Sequence, residues 1–226
     1  MKIKEIHSWN VSPREAFEIQ KNLARQVILS DGPKNVETVA GSDIALDLDR
    51  EEGIAGIIIY RLRDGIELER VFARSKISFP YIPGLLAFRE GPILLKAFQL
   101  LKHEPDLVFF DGQGISHPRG LGIASHLGII LDKPTIGCAK SRLIGTYHEP
   151  GIDKGCFSPL IDQEKQVGVV LRTRKGVRPI FVSPGHQMNH KSAVDFVLSF
   201  CDGYRIPKPT READRWVGQL KVKSKK

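Results

Sequence analysis

Cysteine is scarce in this chain of 226 residues, and the few that occur are isolated. Cys138, Cys156 and Cys201 lie far apart and form no C-x-x-C pair. This spacing argues against a disulfide framework and against a cysteine-rich zinc site, and it indicates reduced thiols. Cys138 ends an apolar run, so we interpret it as a packed core residue and not as a nucleophile.

Long hydrophobic runs are missing as well. No apolar stretch approaches the roughly 20 residues that a helix needs to cross a bilayer, and residues 1–5 lack the apolar core of a signal peptide. We therefore expect a cytoplasmic protein with no membrane partner. Hydrophobic residues make up 41% of the chain and charged residues 27%, values typical of a folded globular protein, which excludes an intrinsically disordered chain.

Acidic residues are outnumbered by basic ones, 26 against 34, which gives a formal net charge of +8. Such an excess is typical of proteins that bind phosphate-rich partners, although it is not specific to them. Four of these charges are lysines in a basic C-terminal tail, residues 221–226, which we expect to be disordered. A second basic stretch, residues 165–191, contains no acidic residue and predicts a surface that faces a polyanion.

The periodicity of apolar residues changes along the chain and predicts an α/β protein. Helical spacing occurs in segments 12–30, 85–103, 121–131, 190–201 and 210–220. Strand-like runs occur in segments 39–48, 53–62, 68–77, 106–110, 135–138, 167–171 and 180–182. The turn Asp64-Gly65 predicts that the first three runs are antiparallel neighbours. The continuous apolar run 106–110 predicts a strand buried on both faces. Runs 167–171 and 180–182 predict edge strands. We predict a mixed β-sheet flanked by α-helices in a single domain, residues 1–220.

Three carboxylates lie where apolar residues are expected. Asp43 lies within a strand-like run, Glu90 lies on the apolar stripe of a predicted helix, and Asp111 directly follows the most hydrophobic strand. A buried carboxylate is costly unless a cation or hydrogen bonds compensate it. Simpler explanations exist for single residues, since Asp43 could face solvent and Asp111 could cap the following turn. Taken together, the three positions favour a functional cluster.

Acidic oxygen ligands without a convincing set of Cys or His predict a hard cation, Mg²⁺ with Mn²⁺ able to replace it, and not zinc. In a basic protein, a pair of such ions points to phosphodiester hydrolysis. Competing motifs fail, because Gly112-Gln113-Gly114 has His117 where a dinucleotide-binding motif needs its third glycine, and no P-loop occurs. The adjacent residues Ser116 and His117 do not indicate a serine hydrolase.

Several longer motifs carry a family resemblance. They are Gly41-Ser42-Asp43, segment 80–90 (PYIPGLLAFRE), segment 111–122 (DGQGISHPRGLG), segment 136–141 (IGCAKS) and segment 183–186 (SPGH). In this order they resemble endonuclease V, the deoxyinosine-specific repair nuclease, over residues 16–220. The resemblance implies a ribonuclease H-like fold. It also implies cleavage of one DNA strand at the second phosphodiester bond 3′ to hypoxanthine, which leaves 3′-hydroxyl and 5′-phosphate ends.

The resemblance implies roles for individual charged residues. Asp43, Glu90 and Asp111 match the metal-binding acids of the family, and Asp214 falls where the fold places a further ligand that is either Asp or His. Asp214 could equally be one more charge on a surface helix. Lys140 matches the site lysine of the family, for which stabilising the pentacovalent phosphate or orienting water is a reasonable role.

The resemblance also implies how a damaged base is held. The loop Pro80-Tyr81-Ile82-Pro83 is similar to the family's wedge, which inserts into the base stack when a nucleotide is extruded, although an aromatic in a rigid loop is often a lid on the core. His117 and Ser183 are expected near the strand that is cut. The pocket for the extruded hypoxanthine, read by backbone amides and carbonyls, is expected to consist of Gly84, Leu86, Gly112, Gly122 and Ile123.

The sequence leaves two alternatives open. A ribonuclease H-like enzyme of this kind could prefer inosine in RNA, since no motif identifies a contact to the 2′-hydroxyl. The chain could also be a non-catalytic nucleic-acid-binding module, and the intact set of Asp43, Glu90 and Asp111 argues against that function. We predict a Mg²⁺-dependent endodeoxyribonuclease that acts as a monomer on DNA containing deoxyinosine.

Overall fold

An eight-stranded sheet with helices on both faces organises residues 1–223, the part of the chain that this computed structural model describes. The strands are β1 (Thr38–Asp47), β2 (Glu52–Arg61), β3 (Glu67–Lys76), β4 (Leu107–Phe110), β5 (Thr135–Ala139), β6 (Phe157–Asp162), β7 (Lys165–Leu171) and β8 (Ile180–Pro184). The helices are α1 (Pro13–Ala24), α2 (Leu86–Gln99), α3 (Ile123–Leu131), α4 (His190–Phe200) and α5 (Lys208–Lys223).

The strand order, β3-β2-β1-β4-β5-β8-β7-β6, places an antiparallel meander of β1, β2 and β3 at one edge of the sheet. β4 pairs in parallel with β1, and β5 pairs in parallel with β4. β8, β7 and β6 then follow as antiparallel neighbours. This arrangement confirms the predicted meander and the predicted ribonuclease H-like mixed sheet with flanking helices.

The prediction of two edge strands late in the chain is wrong. Runs 167–171 and 180–182 belong to β7 and β8, which lie inside the sheet, and every residue of β8 is buried. The edge on that side is β6, a strand that was not predicted from the sequence. Pro159 and the polar residues Ser158 and Asp162 interrupt the apolar pattern of β6, as is typical of an edge strand.

The first helix is shorter than its periodicity predicts. α1 begins at a capping box in which Ser12 and Glu15 bond each other's backbone, and it ends at Ala24 instead of continuing to residue 30. Val27 still packs beside Leu23, but it does so from the loop that follows the helix. The helical spacing of apolar residues continues beyond Ala24 because the loop that follows the helix packs on the same core.

The last helix is longer than predicted. α5 continues through Lys223, so residues 221–223 form a helical turn and not a disordered tail. Within this turn, Lys221 Nζ donates to the carbonyl of Leu46 at 2.6 Å, which attaches the helix end to β1. The rest of the predicted tail, residues 224–226, lies outside the described residues.

Apolar residues of the sheet alternate between two cores. Val108 and Phe110 of β4 pack with α2 and α3 on one face, while Leu107 and Phe109 pack with α4 on the other. Burial of each such side chain stabilises the fold by roughly 1.5–3 kcal/mol, so β4 anchors the centre of the sheet and fixes Asp111, which follows it. Within residues 1–223, no helix has the length and apolar character needed to span a membrane.

Candidate active site

Three carboxylates meet at the end of β4. Asp43 lies in the middle of β1, Asp111 directly follows β4, and Asp214 lies on α5. One oxygen from each lies within 4.8 Å of the others. Asp43 and Asp111 come together because β1 and β4 are parallel neighbours in which Ser42 pairs with Phe110, the residues directly before the two acids.

α5 approaches the cluster closely because β1 has a glycine at the point of contact. A Cβ atom at Gly41 would lie 2.0 Å from the backbone carbonyl carbon of Pro209, far inside van der Waals contact. The glycine therefore lets the first turn of α5 rest on β1, and Asp214 follows further along the same helix.

Lys140 lies among these acids, directly after β5. Its Nζ atom is 2.6 Å from Oδ2 of Asp111 and 3.2 Å from Oδ2 of Asp214. Burial alone would lower the pKa of Lys140, but the hydrogen bond and charge of Asp111, joined by those of Asp214, outweigh burial and raise that pKa. Lys140 is therefore a permanent cation that links two of the acids.

The cluster contains more negative charge than Lys140 neutralises. Burial, followed by the charges of Asp111 and Asp214, raises the pKa of Asp43 to about 8, although Lys140 acts in the opposite direction. A further cation at this position would remove the imbalance and lower that pKa again. Three carboxylates without Cys or His suit a hard divalent cation bound through oxygen, which Asp43, Asp111 and Asp214 could hold.

Glu90 is buried on α2, as its position on the apolar stripe predicts. Burial, together with the charge of Asp111, raises the pKa of Glu90 to about 8, while the neighbouring Arg89 opposes the shift. Among residues 1–223, the tight carboxylate group consists of Asp43, Asp111 and Asp214, and Glu90 lies outside it. The structure therefore brings three of the four predicted acids together and keeps Glu90 within electrostatic reach of Asp111.

A cavity of about 390 Å³ opens beside the acids, with Asp111 and Lys140 on its wall. All of the predicted pocket residues share this wall: Gly84, Leu86, Gly112, Gly122 and Ile123. Tyr81, Ile82 and Pro83 of the predicted wedge line the cavity too. The predicted pocket residues and three of the four predicted wedge residues thus surround a single cavity that adjoins Asp111, whereas Pro80 lies outside its lining.

The predicted wedge is a short loop between two buried residues, Phe79 and Leu85. Arg89 Nη1 donates to the Phe79 carbonyl at 2.8 Å and so fixes the start of the loop. Tyr81, in contrast, is 70% exposed. An aromatic residue that served as a lid on the core would be covered, so this exposure argues against that explanation.

His117 and Ser183, which we expected near the cut strand, are buried and bond the protein backbone. His117 is 5% exposed and Ser183 is fully buried. Burial lowers the pKa of His117 to about 4, so its ring is neutral at pH 7, and Nε2 donates to the Gly84 carbonyl at 2.9 Å. Both residues hold loops of the cavity in place, and their closeness to a bound strand stays a prediction.

Main-chain segments touch each other directly behind the cavity. A Cβ atom at Gly114 would lie 1.9 Å from the Pro184 carbonyl oxygen, and one at Gly137 would lie 2.4 Å from the Gly114 nitrogen. Ser183 Oγ accepts a hydrogen bond from that same nitrogen at 2.8 Å. The glycine-rich loop after β4 is therefore held against β5 and β8 by backbone contact.

Several cavity residues were not predicted from the sequence, namely Gln20, Gln113, Ser141, Arg142 and Leu143. Gln20 could have been singled out from the sequence, because it lies on the same face of α1 as the apolar residues Ala16 and Leu23. In the structure it is only 1% exposed. A buried polar residue of this kind indicates specific hydrogen bonds. The other missed residues lie in loops, where no periodicity marks them.

The basic stretch 165–191 is less available to a polyanion than its composition suggests. Several of its cations pair with acids: Arg172 with Glu149 at 2.7 Å, Lys175 with Asp153 at 2.8 Å and Lys191 with Asp195 at 2.6 Å. Arg172 is also buried. The positive charge of the stretch is therefore partly neutralised by acidic residues that lie outside it in the sequence.

Known proteins resemble this chain over nearly its whole length. The family model described as Endonuclease V matches residues 21–215. An endonuclease V from Petrotoga mobilis is 46% identical over 98% of this chain and 99% of its own length. The crystal structure of the Bacillus subtilis endonuclease V has a TM-score of 0.95 at 33% identity and covers 100% of this chain and 99% of that one.

A further relative was solved with nucleic acid. The endonuclease V from Ciona intestinalis was crystallised in complex with a 24mer DNA containing an inosine followed by a ribo-adenosine. Its TM-score is 0.83 at 29% identity, over 93% of this chain and 98% of that one. Given the match of the family model and the near-complete coverage of these relatives, the chain belongs to the endonuclease V family of nucleases.

Proposed function

We propose that the protein repairs deaminated DNA. It recognises deoxyinosine and hydrolyses the second phosphodiester bond on the 3′ side, leaving 3′-hydroxyl and 5′-phosphate ends. One observation carries this proposal: the cavity and the acidic cluster share a wall at Asp111 and Lys140. Cavities that hold small ligands measure about 300–1,000 Å³, so this one has room for a single extruded base. The inosine-containing DNA bound by the Ciona relative supports the same substrate.

We propose Mg²⁺ as the cofactor, with Mn²⁺ able to replace it, bound by Asp43, Asp111 and Asp214 and supported by Glu90. Ions of this kind activate water and stabilise the leaving oxygen during phosphodiester hydrolysis. The acids bind as carboxylates, because a nearby cation favours the deprotonated form. Lys140 stays protonated and offsets the negative charge that develops on the phosphate oxygens.

The walls of the cavity suit a flat purine. The Gly84 carbonyl and both backbone groups of Gly122 already bond within the protein. Other main-chain groups of the wall, such as those at Gly112, would therefore bond the O6 and N1–H of hypoxanthine. Leu86 and Ile123 supply apolar surface for the faces of the ring. Because adenine has an acceptor at N1 where hypoxanthine has a donor, recognition by backbone groups would distinguish the deaminated base from its parent.

We propose that the loop Pro80-Tyr81-Ile82-Pro83 acts as a wedge, and Tyr81→Ala tests this role. We expect this variant to raise KM for duplex DNA containing deoxyinosine about tenfold, because nothing then fills the gap of the extruded base and unstacking costs a few kcal/mol. Cleavage of single-stranded DNA should change little, since no stack is opened. Phe157→Ala, which removes another exposed aromatic residue, is the control. Equal losses on duplex and single strand would contradict the wedge.

Mapped cleavage of an end-labelled duplex with one deoxyinosine tests the proposed function. We expect a single nick at the second bond 3′ to hypoxanthine in the presence of Mg²⁺, none in EDTA, and none when deoxyadenosine replaces deoxyinosine. Absence of a Mg²⁺-dependent nick at the inosine would overturn the proposal.

Matched DNA and RNA oligonucleotides in the same assay test the two alternatives. Faster cleavage of RNA than of DNA would identify an inosine-specific endoribonuclease. Retained binding without cleavage of either would identify a non-catalytic nucleic-acid-binding module. We expect cleavage of DNA. The intact cluster of Asp43, Asp111 and Asp214, with Lys140 in contact with Asp111, argues against the second result, and the inosine-containing DNA bound by the Ciona relative supports DNA as a substrate.

A further inference from the structure

Gln20 bridges two loops that line the cavity. It lies on α1, and its side-chain Nε2 donates to the Gly84 carbonyl at 3.0 Å and to the Leu121 carbonyl at 3.2 Å. Gly84 ends the wedge loop, whereas Leu121 ends the glycine-rich loop that follows β4. A single carboxamide thus connects the two segments that supply most of the predicted base-pocket residues.

Arg119 fixes this carboxamide in one orientation. Its Nε atom donates to Gln20 Oε1 at 2.6 Å, and its Nη2 atom donates to the Gly84 carbonyl at 2.7 Å. The guanidinium group also lies over the ring of Phe17, 4.4 Å from its centroid, which attaches it to α1. With His117 as a further donor, the Gly84 carbonyl accepts three hydrogen bonds.

The backbone at Gly84 is adapted to this arrangement. Its φ angle is +79°, in the left-handed region that favours glycine. A Cβ atom there would lie 2.7 Å from Arg119 Nη2 and would displace the guanidinium group. The clamp, defined as Gln20 and Arg119 on the Gly84 and Leu121 carbonyls, therefore depends on both its side chains and the glycine that they contact.

The contacts of the clamp indicate that it positions the cavity walls and does not merely fill the core. Gln20 occupies a buried position between Ala16 and Leu23 of α1, where an apolar residue would pack without any polar group to satisfy. All three polar contacts of its carboxamide lead to the walls of the cavity or to Arg119. Gln20 also lines the cavity itself.

We propose that Gln20, held by Arg119, is a positioning residue that sets the separation of the two cavity walls and thereby the selectivity for the extruded base. This inference rests on the proposed function. Without the two donors of Gln20, the carbonyls of Gly84 and Leu121 lose their common partner, and the walls are free to separate. A wider cavity holds hypoxanthine less firmly and excludes other bases less well.

The test compares Gln20→Met and Gln20→Glu in steady-state nicking of duplexes that contain deoxyinosine or deoxyguanosine at one position. Met has a similar length but no donors, so we expect kcat/KM for deoxyinosine to fall about tenfold through KM, with kcat nearly unchanged. We also expect the preference for deoxyinosine over deoxyguanosine to shrink. Glu places an acceptor against two carbonyl oxygens, so its effect should be larger.

Two matched variants control for indirect effects. Lys21→Met changes the next residue of α1, an exposed side chain paired with Glu18, and should leave both substrates unaffected. Arg119→Lys keeps the charge but not the forked geometry of the guanidinium group. Its kcat/KM for deoxyinosine and its preference over deoxyguanosine should therefore lie between those of the wild type and Gln20→Met. Because Arg119→Lys leaves Gln20 in place, it also tests the clamp if Gln20→Met does not fold.

The outcomes separate this inference from the proposed function. Wild-type selectivity in a folded Gln20→Met, or a fall in kcat at unchanged selectivity, would overturn the clamp while leaving the proposed function standing. Failure of the wild type itself to nick deoxyinosine DNA would overturn both. A loss of selectivity confined to Gln20→Met, Gln20→Glu and Arg119→Lys would support the clamp.

Discussion

Asp43→Asn is expected to abolish cleavage of deoxyinosine DNA and, at the same time, to make the metal-free protein more stable at neutral pH. The loss of activity follows from the position of Asp43 within 4.8 Å of Asp111 and Asp214, where it would supply one of the proposed cation-binding oxygens. Loss of a group that stabilises charge in an active site costs about 10²–10³-fold in kcat, and we expect at least that for a residue of the cluster.

The gain in stability follows from the raised pKa of Asp43. Because this pKa is about 8 in the folded protein and about 3.9 in an unfolded chain, the folded state binds more protons between these values. The contribution of Asp43 to stability is therefore fully present below pH 4 and is lost as the pH rises through 8. Asparagine carries no charge and avoids this loss.

Thermal unfolding in EDTA between pH 5 and 9 measures the effect. We expect the Tm of the wild type to fall with increasing pH more steeply than that of Asp43→Asn. The difference in Tm should be about 2–4 °C for each kcal/mol of unfavourable electrostatic free energy that the substitution removes. Asp195→Asn is the matched control, because Asp195 is an exposed acid paired only with Lys191 in the ion pairs described above. Normal nicking by Asp43→Asn, or a lower Tm at pH 8, would contradict the assignment.

Lys140→Met is expected to reduce nicking about 10²–10³-fold, with Lys140→Arg retaining intermediate activity. Lys140 Nζ lies 2.6 Å from Asp111 and adjoins the cavity, so methionine removes the only cation of the described residues that contacts two acids of the cluster. Because the charge of Lys140 lowers the pKa of Asp43, its removal should raise that pKa further.

A pH–rate profile separates these two effects of Lys140. We expect the acidic limb of the Lys140→Met profile to move to higher pH, and the plateau to remain low even at saturating Mg²⁺. Lys191→Met, which breaks an exposed ion pair with Asp195, should behave as the wild type. A plateau equal to that of the wild type would show that Lys140 serves only to hold Asp111 and Asp214 in place.

Local sequence patterns were sufficient to predict the strands at the centre of the fold. The Asp64-Gly65 turn predicted the β2–β3 hairpin, and the apolar run of β4 predicted a strand covered on both faces, because turn chemistry and burial act on neighbouring residues. Asp43 and Asp111 could be singled out for the same reason, since each interrupts an apolar pattern that is visible without the structure.

The remaining features depend on contacts between distant segments. β8 is an interior strand because it pairs with both β5 and β7, and β7 is one only because β6, which has an interrupted pattern, pairs beyond it. Gln20 meets a carbonyl that lies 64 residues further along the chain, and no spacing within α1 indicates that contact. Glu90 was correctly predicted as buried, but its place outside the tight carboxylate group depends on how α2 packs on the sheet.

The backbone contacts behind the cavity have a consequence for engineering new base preferences. Gly114 and Gly137 face neighbouring main chain at distances that leave no space for a Cβ atom, so saturation libraries at these two positions should yield few folded clones. The backbone groups beside them are correspondingly hard to move, so the proposed recognition of the base by main-chain groups would be fixed by the scaffold. Variation that changes the accepted base would then come from side chains at the walls, such as Leu86, Ile123 and Gln20.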